Sequence, residues 1–161
     1  MGKSHDRSTF RCGSEALDRY LQGQARQDAE KRVAAPFVLL EPPERRVLGF
    51  YTLSASVITA DQLPTDIARR VPRYPQLTVI LLGRLAVDIS RKGSVLGSLL
   101  LMDALHRGFD AAAEVAAMTI VVDAKDDAAE AFYRHFDFQP LQNRPRRWFL
   151  PMKSVASLFP S

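Results

Sequence analysis

Cysteine is scarce in this sequence. Cys12 is the only cysteine, which excludes an intramolecular disulfide and a cysteine-rich zinc site. Long apolar runs are absent as well: no stretch reaches the roughly 18 apolar residues that a membrane-spanning helix needs. The N-terminal MGKSHDRSTF offers no apolar core for a secretory signal, so the expected location is cytoplasmic. The histidines His5, His106 and His135 share no metal-ligand spacing and read as surface residues, so no metal is expected. No segment repeats, and nothing marks a domain boundary.

What remains is the composition of an ordinary globular domain. Hydrophobic residues make up 47% of the 161 and charged residues 25%, too apolar for large-scale disorder. A single domain over 1–161 is expected, with 1–9 polar and flexible. The 22 lysines and arginines against 18 acidic residues give a mild net charge of +4. Their distribution says more. Arg69, Arg70 and Arg73 cluster, as do Arg144, Arg146 and Arg147. Clustered arginines suit a phosphate-bearing partner, although two solvated loops account for them equally well.

The hydrophobic pattern orders the elements. Leu17, Leu21 and Ala25 recur at helical spacing over 14–32, with Ser14 as the cap. The apolar run 37–41 and the β-branched, aromatic run 46–58 flank the turn at Pro42, Pro43, Glu44 and Arg45, and predict an antiparallel hairpin. Residues 60–76, with Pro64, Pro72 and Pro75, read as a long excursion holding a short helix at 65–70. The most apolar strand, 77–87, passes through a turn at 88–94 into a helix from about 96 to 109, continued with a kink through 111–116. A strand at 118–123, a helix at 126–136 and closing strands at 138–141 and 147–151 complete the chain. Strand–helix–strand units cross over parallel and right-handed, whereas the hairpin pairs antiparallel. The expected fold is therefore α/β (α+β), a mixed central sheet flanked by helices on both faces.

The most informative stretch is LGRLAVDISRKGSVLGSLL, residues 82–100. A strand runs into a glycine-containing turn that opens a helix. Amides at a helix start lack acceptors and, with the helix dipole, bind phosphate oxygens. Gly93 and Gly97 allow close backbone approach, and Arg91 and Lys92 add positive charge. Taken alone, the stretch also fits a plain strand-to-helix connection.

Together these pieces resemble the GNAT family of acetyl-CoA-dependent N-acetyltransferases. The family's turn, Gln/Arg-x-x-Gly-x-Gly/Ala, falls on Lys92, Gly93, Ser94, Val95, Leu96 and Gly97. Its helix, Asn-x-x-Ala-x-x-x-Tyr with a following Gly-Phe, matches at Asp126, Ala129, Tyr133 and then Asp137 and Phe138. FRCGSEALDRYL, LGRLAVD and AFYRHFDFQP narrow the resemblance to the toxin branch, encoded beside a ribbon-helix-helix antitoxin. It covers residues 10–151, nearly the whole chain.

The resemblance implies a GNAT fold with a splayed cleft between the family's fourth and fifth strands. It implies acetyl-CoA as cosubstrate, its pyrophosphate held by the turn from Lys92 through Gly93, Ser94, Val95, Leu96 and Gly97 to Ser98, with Asp126 also at the cofactor. Backbone of Leu85, Ala86 and Val87 would bind the pantetheine arm and thioester. Three positions depart from the pattern. Lys92 replaces Gln or Arg but stays basic, and Asp137 replaces a glycine at a position where Asp is tolerated. Val95 replaces the central glycine; a branched Cβ disfavours positive φ and crowds the pyrophosphate. A shifted turn, weaker cofactor binding and an inactivating change all fit that departure.

Acyl transfer to an amine needs a neutral amine, a donor for the oxyanion and a proton for the leaving thiolate. Tyr133 is the candidate general acid by its match to the family tyrosine, since a phenol with a pKa of about 10 stays protonated at neutral pH. Beside Phe132 and Phe136 it also reads as a core aromatic. Glu41 reads as a solvated strand end, Ser54 and Ser56 have no base nearby in sequence, and Cys12 reads as a buried thiol.

A toxin of this branch is expected to acetylate the α-amine of aminoacyl-tRNA and so block translation. Arg69, Arg70, Arg73, Arg91, Arg144, Arg146 and Arg147 are the candidate RNA contacts, and Trp148 either stacks on a base or fills the core. The implied partners are aminoacyl-tRNA, a cognate ribbon-helix-helix antitoxin and a second copy in a homodimer; the tail VASLF suits either the dimer interface or its own sheet. An acetyltransferase of a small amine or protein N-terminus, and a disabled scaffold that only binds, are the competing readings.

Overall fold

A β-rich hairpin begins the sheet, as the apolar and β-branched runs on either side of its turn predict. The computed structural model describes residues 6–41, 45–71 and 76–159. Strands β1 (Ala35–Glu41) and β2 (Arg46–Ile58) pair antiparallel from Ala35 opposite Leu53 to Glu41 opposite Arg46, with a register shift between Leu39 and Leu40. Of the turn that joins them, Pro42, Pro43 and Glu44 lie outside the described residues. Strand β3 (Leu77–Val87) pairs parallel with β4 (Thr119–Asp123) at residues 80–82 and extends further, through Val87. Strand β6 (Arg147–Pro151) pairs antiparallel with β4 and with the short β5 (Gln139–Pro140). The order in the six-stranded mixed sheet is β1-β2-β3-β4-β6-β5.

The chain forms two compact units. The first is built from residues up to Ser54 together with Gly83–Ala104. Ser14 caps α1 (Glu15–Arg19), accepting the Leu17 amide. A π-helical turn at Tyr20–Gln24, in which the Ala25 amide donates to the Tyr20 carbonyl, joins it to α2 (Ala25–Glu30). Tyr20, Leu21 and Ala25 are buried with Phe10, Cys12, Val47, Phe50 and Ala86, which makes Cys12 the expected buried thiol. The other sheet face meets the start of α4 (Leu96–Val115): a Cβ on Gly49 would lie 2.6 Å from Leu100 Cδ1.

The second unit is built from Ala55–Leu82 and Leu105–Ser161. Its core gathers Ile58, Leu63, Leu77, Val79, Val121, Leu141 and Phe149. Helix α3 (Thr65–Ala68) realises the short helix between prolines; Pro72 and Pro75 lie outside the described residues. Helix α4 runs unbroken to Val115, without the expected kink. Gly108 lies within it, where a Cβ would come 2.9 Å from Ile120 Cδ1. Helix α5 (Asp127–His135) starts at its cap Asp126, whose carboxylate accepts the Ala129 amide at 2.9 Å.

Two expectations at the ends are corrected. Residues 6–9 are not free: the Asp6 amide donates to the Arg45 carbonyl, and the Val47 amide donates back to Asp6, both at 2.9 Å. The expected flexibility of 1–5, and His5 with it, lies outside the described residues. The C-terminal apolar tail forms a helix the sequence reading lacks, α6 (Met152–Leu158), and buries Val155. Among the described residues no helix is long and apolar enough to cross a membrane, and no group of His, Cys, Asp or Glu side chains is placed to hold a metal ion.

Candidate active site

The turn between β3 and α4 is built around one carboxylate. Asp88 is 2% exposed. Its Oδ1 accepts the Arg11 amide at 2.9 Å, and its Oδ2 accepts the Arg46 guanidinium at 2.9 Å and the Ser90 amide at 3.1 Å. The backbone repeats the clamp: the Asp88 amide donates to Leu48 at 2.7 Å and the Ile89 amide to Arg11 at 2.6 Å. Burial pushes the Asp88 carboxyl pKa up, but hydrogen bonds from Ser90 and Arg11 and the charge of Arg46 outweigh it and hold the group below 3.8. Sequence reading passed over Asp88. Its only local signal is Ser90, two residues on, because its other partners come from distant chain.

A short 3₁₀ turn, Ile89–Arg91, leads to Gly93, whose φ of 80° is the left-handed conformation that glycine adopts without strain. Val95 is not among the positive-φ residues. Its side chain is 70% exposed, and its carbonyl accepts the first bond of α4, from the Leu99 amide at 3.0 Å. The amides of Leu96, Gly97 and Ser98 precede that bond and have no carbonyl behind them in the helix. The Ser94 hydroxyl accepts from the Leu96 amide at 3.3 Å. Valine at 95 is thus accommodated without backbone strain: the position asks for no positive φ, and its side chain is exposed. Lys92 is exposed and leans over Gly13, where a Cβ would lie 2.8 Å from its Nζ. Arg91 is ion-paired to Glu41, so the strand end expected to be solvated anchors a turn arginine. Ala86 is buried, between the half-buried Leu85 and Val87, at the end of β3 that leads into this turn.

In the second unit, Tyr133 is 4% exposed on α5 and packs against Phe132 and Phe138, with ring centroids 5.4 Å away in each case. Its hydroxyl makes no hydrogen bond to a described residue. Burial, aided by the negative charge of Asp123, pushes its pKa well above the usual phenol value. The proton is thus retained at any physiological pH and is committed to no described acceptor. The Asp126 carboxylate, expected near the cofactor, serves as the helix cap.

Comparison with known proteins decides the family. No protein-family model matches the chain. A tRNA-acetylating toxin of Mycobacterium tuberculosis (strain ATCC 25618 / H37Rv) is 37% identical over 158 residues, covering 98% of this chain and 93% of that one. The chain belongs to the tRNA-acetylating GNAT toxins. The toxin AtaT, solved in complex with acetyl-methionyl-tRNAfMet, superposes with a TM-score of 0.91 at 30% identity, over 99% of this chain and 95% of that one. A tyrosine-to-phenylalanine mutant of AtaT, bound to the C-terminus of the antitoxin AtaR and to acetyl-CoA, superposes with a TM-score of 0.83 at 28% identity, over 98% and 92% of the two chains. The GNAT-toxin fold read from the sequence is thus the observed one.

The arginines expected to meet RNA in such a toxin divide into two sets. Arg146 is paired with Asp127 at 2.7 Å and Glu130 at 3.4 Å, and Arg147 grips Asp123 through two bonds of 2.7 and 3.0 Å. Arg91 has Glu41. Arg69, Arg70 and Arg144 are exposed, with no ion pair among the described residues; Arg73 lies outside them. Trp148 takes the core role: it is 6% exposed, its indole reaches Glu130 at 3.4 Å, and Arg134 lies 5.1 Å from its ring centroid. It offers no face for a base. His106 and His135 are exposed, as expected.

Proposed function

We propose that this toxin transfers an acetyl group from acetyl-CoA to the α-amine of aminoacyl-tRNA, blocking translation, and that a cognate antitoxin neutralises it. One observation carries the reading: near-complete alignment, at 37% identity, with a tRNA-acetylating toxin. Such a reaction belongs in the cytoplasm, where aminoacyl-tRNA is used. The family resemblance further supports a homodimer and a ribbon-helix-helix antitoxin.

The residues divide the work as follows. Acetyl-CoA supplies the activated acetyl thioester. The turn at Gly93, the Gly97 and Ser98 amides and the start of the α4 dipole hold the pyrophosphate, with Lys92 adding positive charge. Backbone of Leu85, Ala86 and Val87 aligns the pantetheine arm. The amine nitrogen forms a bond to the thioester carbonyl carbon as the carbon–sulfur bond breaks. Tyr133 gives its phenolic proton to the departing thiolate, and the proton shed by the amine restores it through solvent, so no charge accumulates. The raised pKa of Tyr133 keeps that proton in place until the thiolate appears.

The test is direct. Purified chain is incubated with labelled acetyl-CoA and individually charged tRNAs, beside a Tyr133→Phe variant. Label on the aminoacyl amine, lost in the variant, is the expected result. Label on polyamines or peptide N-termini, with none on any aminoacyl-tRNA, overturns the reading.

A further inference from the structure

Arg84 stands on β3 within the segment of that strand assigned to the first unit. Its guanidinium carbon lies 3.6 Å from the centroid of the Tyr20 ring. It forms no hydrogen bond or ion pair with any described residue, and none of its nitrogens is sealed from solvent. A planar fork of N–H donors is thus held in place without a hydrogen bond of its own, although its charge also helps hold the Asp28 carboxyl pKa down.

The platform beneath it is fixed in turn. The Tyr20 hydroxyl donates to Asp28 Oδ2 at 2.8 Å, and Gln24 Nε2 donates to Asp28 Oδ1 at 2.9 Å. The Tyr20 ring stacks on Phe50, with planes 17° apart and centroids 6.2 Å apart. Tyr20 and Gln24 bound the π-helical turn, a feature that recurs at functional sites. Burial and the Asp28 hydrogen bond push the Tyr20 pKa up to about 12, so the ring stays neutral under the cation.

Its direction separates Arg84 from the pyrophosphate turn. Alternate residues of a strand share a face, so Arg84 shares one with Ala86, which is packed with Tyr20 and Phe50. Gly49, next to Phe50 on β2, faces the other way and meets Leu100 of α4. Arg84 therefore faces α1 and α2 and not α4, the helix that the pyrophosphate turn opens. An aminoacyl group esterified to RNA has no free α-carboxylate, so the anions that accompany the reacting amine are the phosphates of the RNA end.

We propose that Arg84, stacked on Tyr20, binds a phosphate of the single-stranded 3′ end of the aminoacyl-tRNA and so sets the position of the amine. The inference rests on the acceptor reading given above. The fork of the guanidinium matches phosphate geometry in a way an ammonium does not. Tyr20 is a positioning residue, acting through Arg84.

The experiment uses the full chain and its Arg84→Ala, Arg84→Lys, Tyr20→Leu and Tyr20→Phe variants. Aminoacyl-tRNA acetylation is measured across a salt series, and acetyl-CoA titration reports that each variant is folded. Arg84→Ala is expected to raise KM for aminoacyl-tRNA about tenfold or more, with a much smaller change in kcat. The slope of log affinity against log salt is expected to shrink by about 0.7, the share of one single-strand phosphate. Arg84→Lys keeps the slope but still raises KM. Tyr20→Leu raises KM, whereas Tyr20→Phe, which keeps the ring, does not. An unchanged KM and slope in Arg84→Ala overturn the proposal, and so does a raised KM with an unchanged slope. If Arg84→Ala loses acetyl-CoA binding, Arg84→Lys decides, and a wild-type KM there overturns it. Wild-type chain that binds acetyl-CoA but acetylates no aminoacyl-tRNA removes the acceptor reading itself, and this proposal with it.

Discussion

Arg46 Nη2 meets Asp88 Oδ2 at 2.9 Å, joining the start of β2 to the residue that begins the turn from β3 into α4. Arg46 Nε, by contrast, is buried with no partner among the described residues, and the guanidinium is held there by Asp88 and Ser90 through Nη2. The pair ties the shape of the turn to the stability of the hairpin.

Replacing Asp88 tests that tie. Asp88→Ala leaves the Arg11 amide and the Arg46 charge without their acceptor, and is expected to destabilise the protein by about 2–3 kcal/mol. Acetyl-CoA affinity should fall with it. Urea unfolding and calorimetric titration measure the two effects; a loss of affinity with unchanged stability argues against a structural tie.

The same carboxylate predicts an acid response. Its folded pKa is depressed below 3.8, so its contribution is fully present above that value and is lost as pH falls through the folded pKa. Asp28, lowered by hydrogen bonds from Gln24 and Tyr20, acts in the same direction and over the same acid range. Unfolding free energy should therefore be insensitive to these groups at neutral pH and decline below about pH 4. In Asp88→Asn the acid decline should be shallower, as urea titrations at several pH values will show.

Tyr133→Phe should separate catalysis from folding. The hydroxyl bonds to no described residue, so unfolding free energy should change by less than about 0.5 kcal/mol. Acetyl-CoA affinity should persist while kcat drops about 10²–10⁴-fold. Because the phenol pKa is raised, wild-type activity should show no descending limb from Tyr133 up to about pH 10. A mutant with full turnover removes Tyr133 from the mechanism.

Two substitutions in the turn should behave oppositely. Val95→Gly changes an exposed side chain at a position without positive φ, so acetyl-CoA affinity should stay within about threefold. Gly93→Ala meets no atom within 4 Å, yet its φ of 80° strains any Cβ. It should cost about 1–2 kcal/mol and weaken acetyl-CoA binding. Calorimetry on both variants is the check, and a large gain of affinity in Val95→Gly would falsify the reading of this turn.

The arginines near the C-terminus should separate in the same way. Arg147→Ala breaks the two-bond grip on Asp123 and should cost about 1 kcal/mol of stability. Arg144→Ala has no ion pair to lose among the described residues. It should leave stability unchanged and reduce the salt dependence of RNA binding. Equal effects of both variants on RNA binding, with none on stability, would reject the division.

What the sequence determined by itself is local. Apolar and β-branched runs gave β1, β2 and β3, helical spacing gave α1 and α5, and Ser14 announced its helix by capping chemistry that reaches only a few residues. The glycine turn that opens α4 was legible for the same reason, since Gly93 and the start of α4 are adjacent in the chain. Tertiary structure decided which charges are free. Asp88 draws on residues 42 and 77 positions away, and Arg147 on one 24 positions away, so no local pattern could assign those partners. It also fixed the backbone at Val95, which takes no positive φ and leaves its side chain exposed. The burial of Trp148 followed likewise from strand pairing, with β4 on one side of β6 and β5 on the other. Periodicity and capping act within a turn or two of chain; ion pairing and burial depend on where the chain returns, and only the assembled sheet fixes that.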